Sequence, residues 1–501
     1  MARENRQTIL ALVSMAALIG YGALLFTYMA SGVGGSDSSG YANTARAMLE
    51  GRVVLPIEAL SRLDLPPRLA GAFRPLAFEP GPEPGTIVPF YPPGFPLHIA
   101  FASLVAGWKA GPFVVSPILA LLAVVLTYFL GRELSLSRPL AFAGAAIFAA
   151  APIMLRQAVQ PMSDVAAAVW CVAAILCALR SRKGSVWALP AGAAFGMAVL
   201  VRPADVLLLL PLAFALRWNP RSFAFFAAGG VPFAAFFGFW NRTLYGSVLS
   251  TGYAPVMEGE FSWSNFAPRF VLYGKWIVWQ LSPLPLLGWL GSTFCRSLRV
   301  RDRALLVTWL AAYFLFYCFW RPADGWWYSR FLLPALPALI LGFLVSLREL
   351  LRVLSAGESK ARGRRWPLRA LAGAAVLLGV FGVELRRDLT PPMPYKEARG
   401  QATFPEACRA IARRAEGASA LVVAMEFSGA VRFYTDFLPV RWDQISAEDF
   451  ALVRARAAEK GYRVFAILFP DEVPRAQPNV PGDWVFLENV RHASLWELHP
   501  P

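Results

Sequence analysis

Cysteine and histidine are scarce, with 5 of the first and 3 of the second among 501 residues. Four of the cysteines fall in or beside long apolar runs and only Cys408 falls in a polar stretch, so a disulfide framework is not expected. The histidines (His98, His492 and His499) offer few ligands for a histidine-based metal centre. Internal repeats are also missing, since neither a tandem repeat nor inverted symmetry between the halves is visible.

Acidic residues are few as well: 32 Asp and Glu stand against 48 Lys and Arg, a formal charge of +16. One basic patch would suit nucleic acid, but these residues fall in alternate connections between apolar segments, as in cytoplasmic loops. The basic connections contain Arg132 and Arg138; Arg180, Arg182 and Lys183; Arg217 and Arg221; Arg296, Arg299, Arg301 and Arg303; and the stretch 348–369. The charge therefore orients the chain in a membrane, and no nucleic-acid partner is expected.

Apolar residues dominate what remains, with 57% hydrophobic residues and a mean hydropathy of +0.48. These values predict an α-helical multi-pass membrane protein. The predicted spans are 8–30, 112–131, 139–155, 163–179, 185–201, 204–216, 222–240, 271–294, 304–320, 331–351 and 368–385. The first run is too long for a signal peptide. Arg3 and Arg6 at the start of this run place the N-terminus inside the cell. About eleven crossings of the plasma membrane then place the C-terminus outside.

Two segments on the outer side are too long to be connectors. The first, 31–90, follows span one with a carboxylate at Asp37 and continues as a predicted amphipathic helix in the membrane interface. The second, 388–501, is predicted to be a small soluble α/β domain. Its predicted strands are 420–425, 431–434, 464–469 and 484–487, and its predicted helices are 405–416 and 447–460. Two domains are therefore expected, at 1–387 and 388–501.

Charged residues recur at the outer ends of the predicted spans. Asp37, Asp164, Arg202 and Arg330 all fall on this side and could line one cavity. A carboxylate there could activate an acceptor hydroxyl while guanidinium groups hold a phosphate leaving group. The competing interpretation is that these are solvated loop charges, with arginines that only extend toward water from helix ends.

Several motifs resemble the bacterial polyprenyl-phosphate-dependent glycosyltransferases of the GT-C fold. That superfamily includes protein O-mannosyltransferases and the aminoarabinose transferase of lipid A. The matching stretches are SDSSGY at 36–41, YPPGFPL at 91–97, PMSD at 161–164, VRP at 201–203, YGSVLSTGY at 245–253 and YSRFLLP at 328–334. They occur in the family's order and span most of the chain.

The resemblance implies an inverting transfer from a polyprenyl-phosphate-linked sugar to an acceptor hydroxyl at the outer face of the membrane. It assigns Asp37 as general base and Asp164 as the residue that positions sugar or acceptor. Arg202 and Arg330 would neutralise the phosphate. The substrate-binding candidates that complete the set are Tyr91, Tyr253 and Tyr328, although the loops with Tyr91 and Tyr253 could equally only shape the cavity.

The chain departs from its relatives at one position. Many of them have a paired Asp-Glu after the first span, whereas Ser38 follows Asp37 here. Since that second acidic ligand is missing and histidines are few, chemistry without an obligatory metal or other cofactor is expected.

Two other functions fit the sequence less well. A transporter or flippase of lipid-linked saccharides would also have many spans, but it would more often carry mid-span charges and internal repeats. A binding or assembly protein would act through its C-terminal domain. The sequence identifies neither the sugar nor the acceptor.

Overall fold

The computed structural model describes residues 2–254, 259–321, 324–356, 366–390 and 393–499. It is mainly a bundle of helices, with a sheet-containing domain at the C-terminal end. The basic connection predicted over 348–369 lies partly outside the described residues.

The helices of the bundle and of its first large loop are numbered along the chain. They are α1 (Ala2–Tyr28), α2 (Asp37–Leu49), α3 (Glu58–Arg62), α4 (Gly94–Ala106), α5 (Gly111–Glu133), α6 (Arg138–Ala150), α7 (Pro152–Ala158), α8 (Ser163–Arg180), α9 (Ala188–Val201), α10 (Leu209–Leu216), α11 (Pro220–Tyr245), α12 (Phe266–Leu281), α13 (Leu284–Ser292), α14 (Val300–Cys318), α15 (Leu336–Ala356) and α16 (Trp366–Leu389). A 3-10 segment, Trp326–Ala335, leads into α15.

Five helical stretches of the described residues are long and apolar enough to cross a membrane, and the bent pair α6 and α7 makes a sixth candidate. The chain is therefore a membrane protein, but the count of eleven spans is not confirmed. Three further apolar helical stretches are shorter: Gly94–Ala106, Ser185–Val201 and Pro203–Leu216.

Two of the predicted spans are broken in the structure. Segment 139–155 bends by 63° between α6 and α7, where Pro152 cannot continue the hydrogen-bond ladder of α6. Segment 271–294 divides into α12 and α13 at Ser282, whose φ of +69° ends the helix before Pro283. A hydropathy pattern does not register such breaks, because both halves remain apolar.

The first large loop is folded against the bundle. It contains α2, α3 and a small antiparallel sheet of β1 (Leu55–Pro56), β2 (Phe78–Pro80) and β3 (Thr86–Pro89), in the order β1-β3-β2. Most of α2 is buried, and it packs between α4 and the C-terminal domain. The prediction of an interfacial amphipathic helix was therefore wrong, because α2 has protein neighbours on several sides instead of lipid on one.

The C-terminal domain has a five-stranded sheet. Its elements are α17 (Thr403–Ala415), β4 (Ala420–Val423), α18 (Ser428–Tyr434), β5 (Leu438–Val440), α19 (Ala447–Glu459), β6 (Arg463–Leu468), α20 (Val473–Ala476), β7 (Trp484–Val490) and β8 (Ala493–Leu498). The sheet order is β5-β4-β6-β8-β7, in which β4 is parallel to β5 and β6, and β8 is antiparallel to β6 and β7.

The predicted α/β character of this domain is confirmed, but some of its elements differ. Residues 431–434 form part of α18 instead of a strand, and β5 and β8 were not predicted. The predicted start of α19 is confirmed, since the Ser446 hydroxyl accepts a hydrogen bond from the Asp449 backbone N–H at 3.1 Å.

Candidate active site

The Asp37 carboxylate lies at the first residue of α2, after a tight turn. The Ser38 hydroxyl donates to the Gly34 carbonyl at 2.8 Å and accepts from the Gly34 N–H at 2.9 Å. Gly35 has a φ of +60°, in the region that favours glycine, and a Cβ on Gly34 would overlap the ring of Phe404. The two glycines therefore let this turn fold tightly enough to place Asp37 beneath the C-terminal domain.

That domain also bonds directly to the residues around Asp37. The Val33 N–H donates to the Tyr434 hydroxyl at 2.8 Å, and the Asn43 side-chain amide donates to the Gly429 carbonyl at 2.8 Å. A Cβ on Gly429 would overlap the Ser39 side chain. The C-terminal domain is thus packed against the turn that holds Asp37.

Both carboxylate oxygens of Asp37 are bound by side chains far away in sequence. Oδ2 accepts from Arg330 Nη1 at 2.8 Å, and Oδ1 accepts a short hydrogen bond from the Tyr91 hydroxyl. Burial would raise the pKa of Asp37, but the Arg330 guanidinium, both hydrogen bonds and the charge of Arg202 together hold that pKa below its usual range. Asp37 is therefore ionised and able to accept a proton.

A second ion pair lies at the start of α8. Arg202 Nη2 donates to Asp164 Oδ1 at 2.6 Å, and Arg202 Nε donates to the Ser163 hydroxyl at 3.2 Å. That hydroxyl also bonds to the Tyr41 hydroxyl at 2.9 Å, which links the pair to α2. Arg202 is positioned by the end of α9, where a Cβ on Gly94 of α4 would overlap the backbone of Leu200.

The two ion pairs face one aromatic ring. The guanidinium carbons of Arg330 and Arg202 lie 5.1 Å and 5.4 Å from the centroid of Phe331. Tyr328, half-buried, stacks on the same ring at 6.1 Å. The structure therefore brings Asp37, Asp164, Arg202, Arg330 and Tyr328 together around Phe331, although they are spread over 293 residues of sequence.

The remaining predicted tyrosines support the wall of this site. Tyr91 is buried, whereas Tyr253 is half-buried and lies 6.2 Å from it, ring centroid to ring centroid. Phe90 lies edge-on to Tyr253 at 5.1 Å, and a Cβ on Gly252 would overlap the Phe90 backbone. Tyr91 thus contacts Asp37 directly, while Tyr253 contacts Tyr91.

Several guanidinium nitrogens in the site lack a partner. Within the described part of the chain, Arg202 Nη1, Arg330 Nε and Arg156 Nε are buried without a hydrogen bond. Arg156 pairs with Glu397, and its guanidinium carbon lies 5.3 Å from the centroid of Trp327. Unsatisfied donors on positive groups are costly when buried, so this arrangement suits an anionic ligand.

Sequence reasoning missed several residues here. Tyr41 and Ser163 lie inside the quoted motifs but have no predicted role, and Arg156 was not predicted as a site residue. No motif in the sequence pointed to Glu426 as a site residue. In the structure its Oε2 lies 3.4 Å from where a Cβ on Gly35 would stand. Burial and the carboxylates of Glu472, Asp471 and Asp37 raise the pKa of Glu426. Among the described residues, no three His, Cys, Asp or Glu side chains are grouped as a metal site requires.

We expect Tyr91→Phe to raise the pH at which Asp37 becomes protonated. The acid limb of the pH–rate profile of an activity that depends on ionised Asp37 should move to higher pH with it. The Tyr91 hydroxyl donates to ionised Asp37 and so lowers its pKa; without it the carboxylate protonates at higher pH, and an activity that needs ionised Asp37 is lost at higher pH. Initial rates measured over a pH series would show the shift. Tyr462→Phe, in the C-terminal domain, is the matched control, and identical profiles in all three proteins would contradict this role of Tyr91.

Comparisons with known proteins define the class of this fold. The family model of dolichyl-phosphate-mannose-protein mannosyltransferases matches residues 114–224. The structure of ArnT from Cupriavidus metallidurans bound to undecaprenyl phosphate matches with a TM-score of 0.55 and 14% identity, over 97% of this chain and 97% of that one. No curated protein matches the chain at the level of sequence. The chain therefore has the GT-C fold, and the resemblance drawn from its motifs is confirmed.

Two other solved structures show how widely this fold is shared. The archaeal oligosaccharyltransferase AglB from Archaeoglobus fulgidus, in complex with an inhibitory peptide and a dolichol-phosphate, matches with a TM-score of 0.50 and 12% identity, over 97% of this chain and 74% of that one. The mycobacterial arabinofuranosyltransferase AftD matches with a TM-score of 0.52 and 16% identity, over 98% of this chain and 41% of that one. The match to ArnT covers nearly the whole of both chains, including the C-terminal domain.

Proposed function

We propose that this protein is a membrane glycosyltransferase that moves a sugar from a polyprenyl-phosphate donor to an acceptor hydroxyl. One observation carries the proposal: an ionised carboxylate, Asp37, lies beside two arginines that keep unpaired N–H donors. A base and an anion site in contact are what transfer from a phosphate-linked sugar needs. The mannosyltransferase family model supports this reaction class, and undecaprenyl phosphate and dolichol-phosphate in two structural relatives support the donor class.

In the proposed mechanism Asp37 acts as general base. It takes the proton of the acceptor hydroxyl as that oxygen bonds to the anomeric carbon. The bond from that carbon to the phosphate oxygen breaks on the opposite side, so the configuration inverts and polyprenyl phosphate leaves with the bonding electrons. Arg330 and Arg202 stabilise the charge that develops on the phosphate.

The ion pair of Asp37 with Arg330 suits a mechanism in which the donor binds before Asp37 acts as base. Before the donor binds, Arg330 holds Asp37 ionised but weakly basic. A donor phosphate would share the Arg330 guanidinium through its unpaired Nε and weaken its hold on Asp37. The base would then become stronger only when the donor is in place. Asp164 would keep Arg202 oriented through the 2.6 Å contact.

The test is transfer by purified, detergent-solubilised protein from a radiolabelled polyprenyl-phosphate sugar. We expect acceptor-dependent release of polyprenyl phosphate. If the protein instead moves intact donor across vesicle membranes and breaks no bond, it is a flippase.

Glycans and lipids of a deletion strain, measured by mass spectrometry, would identify the sugar and the acceptor. Removing the C-terminal domain is not a clean test of function, because that domain bonds to Val33 and Asn43 beside Asp37.

The reaction is proposed to occur at the outer face of the plasma membrane, with the N-terminus inside. A topology reporter fused after Leu385 should therefore give an extracytoplasmic signal, since the basic connections face the cytoplasm. A fusion within the basic connection at Arg180–Lys183 is the control and should give a cytoplasmic signal. A cytoplasmic signal after Leu385 would contradict the proposed side of the reaction.

A further inference from the structure

A large apolar cavity lies in the bundle, and no residue of the Asp37 site lines it. It has a volume of about 770 Å³ and is lined by α1, α5, α6 and the end of α16. On α6 it extends from Arg138 to Ala150. At a rise of 1.5 Å per residue these positions are roughly 18 Å apart along the helix axis, a length that suits an acyl chain.

One buried carboxylate lines this cavity, and a second lies one helical turn away from it without lining the cavity. Asp388 lines it and is 5% exposed, while Glu384, one turn earlier on the same face of α16, is fully buried. Within the described part of the chain, Glu384 Oε1, Glu384 Oε2 and Asp388 Oδ1 have no hydrogen-bond partner. The two side chains are close enough to interact electrostatically, and so are Asp388 and Tyr21 of α1, whose hydroxyl is also unpartnered.

The arginines next to them on the helix do not neutralise this pair. Arg387 donates to the Trp279 carbonyl at 3.3 Å, and its guanidinium carbon lies 4.5 Å from the Trp279 ring centroid. Arg386 is exposed. Carboxylates buried in protein are expensive unless they have a partner or a function. The unpartnered Oδ1 of Asp388 can accept a hydrogen bond from a primary ammonium group in the cavity, and Glu384 provides a second acidic group one turn away.

We propose that this cavity binds an aminophospholipid, with its acyl chain along α6 and its primary ammonium bound to Asp388, which lines the cavity one turn from the buried Glu384. The site takes neither base nor phosphate ligand from the Asp37 cluster, so the proposal does not depend on the proposed transfer reaction. A quaternary ammonium carries the same charge but has no N–H, so it cannot satisfy the carboxylate oxygens. The site should therefore distinguish ethanolamine from choline headgroups.

The experiment uses the full-length protein in nanodiscs of equimolar phosphatidylethanolamine, phosphatidylcholine and phosphatidylglycerol. Lipids retained after detergent extraction are counted per protein by native mass spectrometry. We expect phosphatidylethanolamine to exceed phosphatidylcholine by at least about tenfold, the ratio given by one hydrogen bond to a charged group. Retention in the bulk proportions would overturn the proposal.

Variants separate headgroup recognition from chain binding. Asp388→Asn with Glu384→Gln keeps the shape, removes the buried charge and is expected to fold normally, while abolishing the preference for ethanolamine. Asp483→Asn, on the exposed surface of the C-terminal domain, should retain the preference. Ala146→Phe with Ala149→Phe, both in the cavity wall, should reduce retention of all three lipids. An unchanged preference in the double carboxylate variant would overturn the assignment.

Discussion

Replacing Asp37 by Asn is expected to lower sugar transfer by at least ~10²-fold, the usual size of a general-base contribution, while folding and membrane insertion remain normal. Asn keeps the size and much of the hydrogen-bonding capacity of Asp but cannot take a proton at neutral pH. Asn can still accept from Tyr91, so the local packing is preserved. The measurement is the single-turnover rate of transfer from a polyprenyl-phosphate donor.

A purely structural Asp37 would behave differently. As a helix cap it could be replaced by Asn with little effect, because both residues cap well. In the structure its two oxygens accept from Arg330 and Tyr91, which argues against capping. Asp471→Asn, at an exposed side chain, is the matched control. If the Asp37 variant transfers sugar at nearly the wild-type rate, Asp37 is not the base and the mechanism fails.

Asp37→Glu refines the same test. Glu restores a carboxylate but adds a methylene between α2 and the fixed partners Arg330 and Tyr91. Since transfer requires the base within hydrogen-bond reach of the acceptor, we expect this variant to recover little activity. Recovery to the wild-type rate would show that the cavity tolerates a displaced carboxylate.

The membrane class and several residues of the candidate site could be predicted from local sequence. Long apolar runs and the alternation of basic connections predict the membrane class. The motifs around Asp37, Asp164, Arg202 and Arg330 predict the site residues. The first three lie at helix ends, and Arg330 lies in the 3-10 segment before α15. The α/β character of the C-terminal domain followed from its short apolar runs.

Which acid pairs with which arginine could not be predicted. Arg330 bonds to Asp37 and Arg202 to Asp164, and these pairings depend on how α2, α8 and the segment before α15 pack. Residues 431–434 look like a strand in isolation, but they form a helix that packs against α2. Glu426 enters the site only because the C-terminal domain folds back over Gly35. Long-range contacts decided these features, and local patterns do not encode them.

Arg330→Ala is expected to cost about 2–4 kcal/mol of transition-state stabilisation, because a charge-assisted donor to the leaving phosphate is lost. Arg202→Ala should weaken donor use as well. Arg330→Lys keeps the charge but not the planar fork or the Nε donor, so only part of the activity should return. The measurement is kcat and KM for the donor, with protein amount checked, and Arg221→Ala at an exposed position as control.

Arg330→Ala has a second expected effect that separates two roles of this residue. Its guanidinium lowers the pKa of Asp37, so removal should move the acid limb of the rate profile to higher pH. A combined Asp37→Asn and Arg330→Ala variant should lose less than the sum of the two single losses, since the groups are in contact. A shifted acid limb with wild-type kcat/KM for the donor at high pH, where Asp37 is ionised in both proteins, would assign Arg330 only to Asp37. Normal turnover in both Arg330→Ala and Arg202→Ala would remove these arginines from the site.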